Sequence, residues 1–93
     1  MARREWSKGR RTQLHKITSR LLKGKPEPAI VDVITVVHAY DRLVTEHPNQ
    51  MSYRLKLKES IARLATLLVA RGKTGQASRL KSLGPFQNLS IAD

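Results

Sequence analysis

The chain has 93 residues, of which 40% are hydrophobic and only 4% aromatic, and it contains no cysteine. This length predicts one domain with an aliphatic core, and the absence of cysteine excludes disulfides and thiolate metal sites. The formal net charge of +11 favours a polyanionic partner. No apolar run approaches the roughly 18 residues of a membrane helix, and no signal-peptide pattern follows the basic start. We therefore expect a cytoplasmic protein without membrane contact, associated with the nucleoid or, if viral, present in the host cytoplasm.

The charge is divided into three blocks. Residues 1–25 hold nine basic residues and one acid, residues 26–47 carry a net −3, and residues 48–93 carry a net +6. Lysine and arginine contacts with phosphate supply most sequence-independent affinity for nucleic acid, so both basic blocks are predicted to bind it. The predicted contacts are Arg3, Arg4, Trp6, Lys8, Arg10, Arg11, Lys16, Arg20, Lys23 and Lys25 in the first block, and Arg71, Lys73, Arg79 and Lys81 in the last.

Trp6 stands among arginines, an arrangement in which the ring stacks on a base while guanidinium groups hold phosphates. The equal alternative is that Trp6 packs against the first helix as a hydrophobic staple before Ser7. We expect residues 1–6 to form a flexible basic arm.

A first amphipathic helix is predicted from a cap at Ser7 to about Lys23, ended by Gly24. One stripe is apolar and the opposite side is basic. The prolines of the following Lys25–Pro28 connector disfavour helical geometry. The predicted stripe is Leu14, Ile17 and Leu21.

A second helix is predicted from Pro28 to His47, with an apolar face that repeats at helical spacing. The segment 30–37 is so rich in β-branched residues that a buried strand is the alternative. Asp41 falls on the apolar side, near Val37 and Val44. A buried carboxylate needs a partner, for which Arg54 and Arg71 are the candidates.

A third helix is predicted from a cap at Asn49 to about Arg71, ended by Gly72, although the alternation at 51–58 also permits a short strand. Its core stripe contains Leu57, Ile61, Leu64 and Leu68. A second apolar face lies 120 to 160 degrees away at about 100 degrees per residue, and it could contact another subunit as easily as another helix of the same chain. We predict an oligomer interface. That face comprises Met51, Leu55, Ala62 and Val69.

A short fourth helix is predicted over 76–83, ended by Gly84-Pro85, with residues 86–93 as a tail pinned by Phe86. The fold class is therefore all-α, with three to four helices and a central helical hairpin in a single domain over 7–85. The strands at 30–37 and 51–58 define the α+β alternative.

The spacing of the candidate residues does not match known catalytic or cofactor-binding motifs. Gly72-Lys73-Thr74 resembles the end of a P-loop, but the first glycine of that motif would fall at Leu67. The histidines, at positions 15, 38 and 47, lack metal-binding spacing, and no nucleophile completes a dyad of His38 and Asp41. We expect no cofactor, no metal and no enzymatic activity.

Two weak helix-turn-helix patterns are present, around Gly24 and around Gly72. The second is preferred, because Gln76, Ser78, Arg79 and Lys81 would place base-reading and phosphate-binding groups on one helix. In layout alone, a basic helix joined to a helical hairpin resembles small DNA-recognition subunits of phage packaging machines and plasmid or nucleoid accessory proteins. This analogy transfers no residues.

The leading hypothesis is an oligomeric nucleic-acid-binding accessory protein of phage or plasmid type, with roles such as packaging, replication or regulation, and with DNA favoured over RNA. The alternative is a protein-interaction module or assembly regulator whose basic arm binds an acidic protein surface. Steep loss of binding with salt would distinguish the first from the second.

Overall fold

The computed structural model describes residues 8–83, which form four helices and no strand. The helices are α1 (Lys8–Lys23), α2 (Pro28–Glu46), α3 (Met51–Ala70) and α4 (Thr74–Ser82), and they contain 84% of the described residues. The all-α prediction is confirmed, and the alternative with strands at 30–37 and 51–58 is wrong. The predicted arm with Arg3, Arg4 and Trp6, the cap Ser7, and the tail with Phe86 lie outside the described residues.

Burial of one face explains why the β-branched segment of α2 is helical. Four of its apolar side chains are at most 2% exposed, and their spacing of four, three and seven residues places them on one side of a helix. Helix propensity disfavours valine and isoleucine by well under about 1 kcal/mol each, whereas burying each such side chain contributes about 1.5–3 kcal/mol. The free energy of burial therefore outweighs the unfavourable helix propensity of this segment. The four are Ile30, Ile34, Val37 and Val44.

The α2 and α3 helices form the central hairpin and pack along their lengths. On α3 the predicted stripe is the buried one, with Leu57, Leu64 and Leu68 at 0% exposure. The α4 helix packs mainly against α3 and contributes Ala77 and Leu80 to the same core. The hairpin of long helices therefore supplies most of the apolar surface on which the shorter helices rest.

The α1 helix contacts both α2 and α4. Its stripe is buried as predicted, with Leu14, Ile17 and Leu21 at 5% exposure or less. The fully buried Thr18 lies on the same side and donates its hydroxyl hydrogen to the Leu14 carbonyl. This packing fixes which side of α1 is exposed.

Gly72 ends α3 with a left-handed residue, at φ of 78°. The amide of Gly72 bonds the Val69 carbonyl at 3.0 Å, and the amide of Lys73 bonds the Leu68 carbonyl at 2.8 Å. These two bonds define a Schellman motif, which satisfies carbonyls that the helix end would otherwise leave unpaired. The predicted stop at Gly72 is confirmed.

Some other helix ends differ from their predictions. The N-cap of α3 is Gln50 and not Asn49, with no side-chain capping bond. The α4 helix begins at Thr74, two residues before the predicted start, because Gly75 is accommodated inside it. The end of α1 is as predicted, at Lys23 directly before Gly24, and the left-handed residue that follows is Lys25, at φ of 55°. Among the described residues, no helix is both long and apolar enough to cross a bilayer.

Candidate nucleic-acid interface

The exposed side of α1 forms a continuous basic face. The helix contains six lysines and arginines and no acid. Four of them, Lys8, Lys16, Arg20 and Lys23, are exposed, while Arg10 and Arg11 are half-buried. An open furrow runs along this side, and we call the side chains that line it the basic face: Lys8, Arg11, Thr12, His15, Lys16, Ser19, Arg20 and Lys23.

The length of the basic face is compatible with several phosphates of a duplex. From Lys8 to Lys23 the helix rises by about 22 Å, at 1.5 Å per residue. One strand of duplex DNA places a phosphate about every 3.4 Å of its axis, so this length corresponds to roughly six base pairs. Since the helix is rigid, its cations keep a fixed spacing.

A buried carboxylate of α2 lies behind the basic face. Asp41 is 2% exposed and accepts two hydrogen bonds from Arg11, from Nε at 3.0 Å and from Nη2 at 3.3 Å. His15 Nε2 lies 3.1 Å from Oδ2, the oxygen that also accepts from Arg11 Nη2. Asp41 thereby joins α2 to one edge of the basic face.

One of the two arginines predicted to pair with Asp41 binds a different carboxylate. Arg71, one of two arginines proposed for it, instead binds Glu27 through Nε and Nη2, each at 2.5 Å. The hydrogen bond from Arg71 lowers the pKa of Glu27 and raises that of Arg71. This exposed pair joins the connector before α2 to the end of α3.

Two histidine rings stack where α1 meets α2. The centroids of His15 and His38 lie 4.7 Å apart, with 22° between the ring planes. His38 Nε2 is 2.9 Å from the hydroxyl oxygen of the buried Thr18. Burial, followed by the charge of His15, lowers the pKa of His38. The sequence did not predict that Arg11, His15, His38 and Asp41 lie together. The i, i+4 spacing of Arg11 and His15, which places both on one side of α1, was the available signal.

The second basic block is split between two roles. Lys73, Arg79 and Lys81 are exposed on or beside α4, which packs against α1, whereas Arg71 is engaged with Glu27. Ser78 is exposed and Gln76 half-buried on the same helix. Lys25, after α1, is also exposed. The two basic blocks therefore lie on helices in mutual contact.

The second apolar face of α3 is exposed in the isolated chain. Met51, Leu55 and Val69 are 47%, 44% and 47% exposed, and Ala62 between them is also exposed. We call these four residues the α3 stripe. Its exposure distinguishes it from the core stripe of the same helix.

Within residues 8–83, no three histidine or acidic side chains are grouped as metal ligands. Gly72 and Lys73 form the turn between α3 and α4. This turn accounts for both residues without a nucleotide-binding site. Comparison of the chain with family models, with curated proteins and with solved structures finds no match.

Proposed function

We propose that the protein binds nucleic acid through the basic face of α1, by contacts with phosphates of a duplex. The observation that carries the proposal is a helix face with several exposed cations, no acid on the helix, and a rigid span of about 22 Å. An ordinary solvated helix face mixes both charge signs, and this one does not. Dense fixed cations attract a polyanion and release its counterions on binding.

A duplex fits the basic face better than a single strand does. Single-strand binding sites commonly combine cations with aromatic rings on which bases stack. The furrow on α1 is lined by hydroxyl and cationic side chains, with His15 as its single ring among the described residues. Tyr40 and Tyr53 belong to the hairpin and pack against the core. We favour DNA over RNA, in a cytoplasmic or nucleoid setting of phage or plasmid type.

Assembly of two copies is part of the proposal and rests on the α3 stripe. Leu55, Ala62 and Val69 recur every seven residues, as in a helix–helix seam. In an antiparallel pair centred on Ala62, Leu55 of one copy meets Val69 of the other, and the small central alanine lets the helices approach. The stripe is thus complementary to itself, as a two-fold interface requires.

The test compares three-residue variants of equal charge. Lys16, Arg20 and Lys23 are replaced together by glutamine in one variant, and Arg42, Lys56 and Arg63 in the control. Each variant loses three positive charges, and all six side chains are exposed. The two variants therefore have the same net charge.

Fluorescence anisotropy of labelled duplex DNA, single-stranded DNA and duplex RNA is measured in about 50 to 200 mM salt, the range in which phosphate contacts reveal themselves. The wild-type protein is expected to bind duplex DNA with affinity that falls steeply as salt rises. The α1 variant is expected to reduce the salt slope by about three, one for each lost contact. The control is expected to keep most of the wild-type slope.

Equal losses in the two variants would show attraction by net charge alone, without a site on α1. No binding by the wild-type protein at the lowest salt would refute the proposed function. Binding of an acidic protein surface by the basic arm would then be the explanation to pursue.

A further inference from the structure

His15 is the titratable group of the basic face. Its side chain is 47% exposed and lines the furrow between Arg11 and Lys16, while its Nε2 contacts the buried carboxylate of Asp41. His15 is therefore accessible to a ligand of the basic face and is tied to the protein interior at the same time. A histidine in this position can change the charge of a binding surface near neutral pH.

We propose that His15 is a phosphate ligand in its protonated form, so that nucleic-acid binding by the basic face is coupled to uptake of one proton. This inference rests on the function proposed above. The site consists of Arg11 and His15, and its ligand is a phosphodiester group of the nucleic acid.

The hydrogen bond to Asp41 fixes which nitrogen of the neutral ring carries the proton. An ionised carboxylate can only accept, so Nε2 must be the donor in this contact. The neutral ring of His15 therefore has an unprotonated Nδ1, which repels a phosphate oxygen. Protonation adds an N–H at Nδ1, and the ring then donates from both nitrogens.

A proton on His15 also makes the net charge of the group formed by Arg11, His15 and Asp41 more positive. Arg11 and Asp41 neutralise each other, so with a neutral imidazole these three side chains carry no net charge. The proton on His15 makes the sum +1, beside the exposed cation of Lys16. A phosphate then gains both a hydrogen-bond donor and an attractive charge, and charge-assisted hydrogen bonds are the stronger kind.

His38 limits the uptake to one proton. The Thr18 hydroxyl donates to the Leu14 carbonyl at 3.0 Å, so its oxygen accepts from His38 Nε2 at 2.9 Å. Burial of His38, together with the stacked ring of His15, lowers the pKa of His38. Protonation of His38 is therefore disfavoured.

Within residues 8–83, the remaining charges around His15 are mostly positive. On α1 these are Lys8, Arg11 and Lys16, and α2 adds His38 and the single acid Asp41. The α4 helix, which also packs against α1, contributes basic side chains and no acid. A phosphate bound at the basic face would balance these cations.

The test measures the affinity of a rhodamine-labelled DNA duplex at pH 6, 7 and 8 and constant ionic strength, with wild type, His15→Gln and His47→Gln. One coupled proton strengthens binding by at most tenfold per pH unit. We expect wild-type binding to be about five- to tenfold tighter at pH 6 than at pH 8, which is the direction that uptake of a proton on binding requires. The salt slope is expected to be steeper by about 0.9 at pH 6, as for one added phosphate contact.

His15→Gln is expected to show no pH dependence of binding between pH 6 and pH 8, since glutamine cannot take up the proton. His47→Gln is the matched control, because His47 is an exposed histidine at the end of α2, beside Tyr53. It is expected to retain the wild-type pH dependence. Circular dichroism checks that each variant is helical at each pH.

A measurement on the wild-type protein does not depend on the folding of any variant. Nuclear magnetic resonance of the histidine rings, recorded across the same pH range with and without the duplex, is expected to show the His15 ring protonated at higher pH when DNA is bound. Unchanged titration of that ring on binding would overturn the inference.

The outcomes separate this inference from the proposed function. Salt-dependent binding with equal affinity at pH 6 and pH 8, or wild-type pH dependence in His15→Gln, would overturn the role of His15 and leave the basic face as the binding site. Absence of binding at every pH would overturn the proposed function and the inference with it.

Discussion

Replacement of Arg11 by glutamine tests whether this arginine is structural as well as basic. Arg11 donates two hydrogen bonds to the carboxylate of Asp41, which is 2% exposed and faces the core side of α2. The sequence alone placed Arg11 and Arg20 together among the predicted phosphate contacts of the first basic block. The structure separates Arg11 from Arg20, which is fully on the exposed side.

The expected loss of stability follows from these contacts. Hydrogen bonds to charged groups contribute roughly 1.5–3 kcal/mol each. The side chain of Arg11 is 34% exposed, so water screens and partly replaces its interaction with Asp41. We therefore expect Arg11→Gln to lower the free energy of unfolding by about 2 kcal/mol, which corresponds to a fall in Tm of roughly 10 °C for a domain of this size.

Arg20→Gln is the matched control, because it removes the same charge from the same helix without touching a buried group. Its effect is expected to stay within about 0.5 kcal/mol. Urea denaturation followed by circular dichroism of the helices measures both variants. Equal stability of the two would refute the structural role of Arg11, and a loss of helix in Arg20→Gln alone would refute the placement of α1.

The remaining predictions concern the turn after α3 and the α3 stripe. Gly72→Ala is expected to destabilise the protein by about 1 kcal/mol, because φ of 78° disfavours a side chain even where no atom lies within 4 Å of the added methyl group. Gly75→Ala is expected to stabilise the protein by about 0.5–1 kcal/mol, because Gly75 lies inside α4 and an added methyl group would meet no atom within 4 Å. Thermal unfolding measures both variants. Stability changes of the same sign in the two variants would contradict the Schellman turn. The double variant Leu55→Ser with Val69→Ser is expected to shift the assembly towards monomers in light scattering while the dilute protein unfolds within a few degrees of wild type, since both side chains are exposed. A wild-type protein that is monomeric at every concentration, or extensive unfolding of the dilute double variant, would refute the interface.

The hairpin was predictable because its signals are local. Proline at the start of α2, glycine after α3 and the repeat of aliphatic residues lie within a few turns of the elements that they specify. The segment 30–37 was ambiguous for the same reason, since β-branched residues suit a buried strand and a buried helix face alike. Packing against α3 decides between them, through burial that exceeds the small propensity penalty.

The candidate site was predictable as a charge pattern and not as a set of contacts. The excess of lysine and arginine in the first block, and their absence from the apolar stripe of α1, follow from the sequence by helical geometry. The pairing of Asp41 with Arg11, 30 residues away, depends on how α1 lies across α2. Arg71 was misassigned because its true partner, Glu27, is brought near only when the hairpin closes.

The sequence by itself therefore determined the helices, their buried stripes and the basic character of α1, because these depend on spacing along the chain. The tertiary structure alone decided that Arg11 and His15 share one buried carboxylate, that His15 stacks on His38, and that the α3 stripe is exposed in the isolated chain. Those features depend on the relative placement of helices, which is set by the packing of the whole core and has no signature within any single segment.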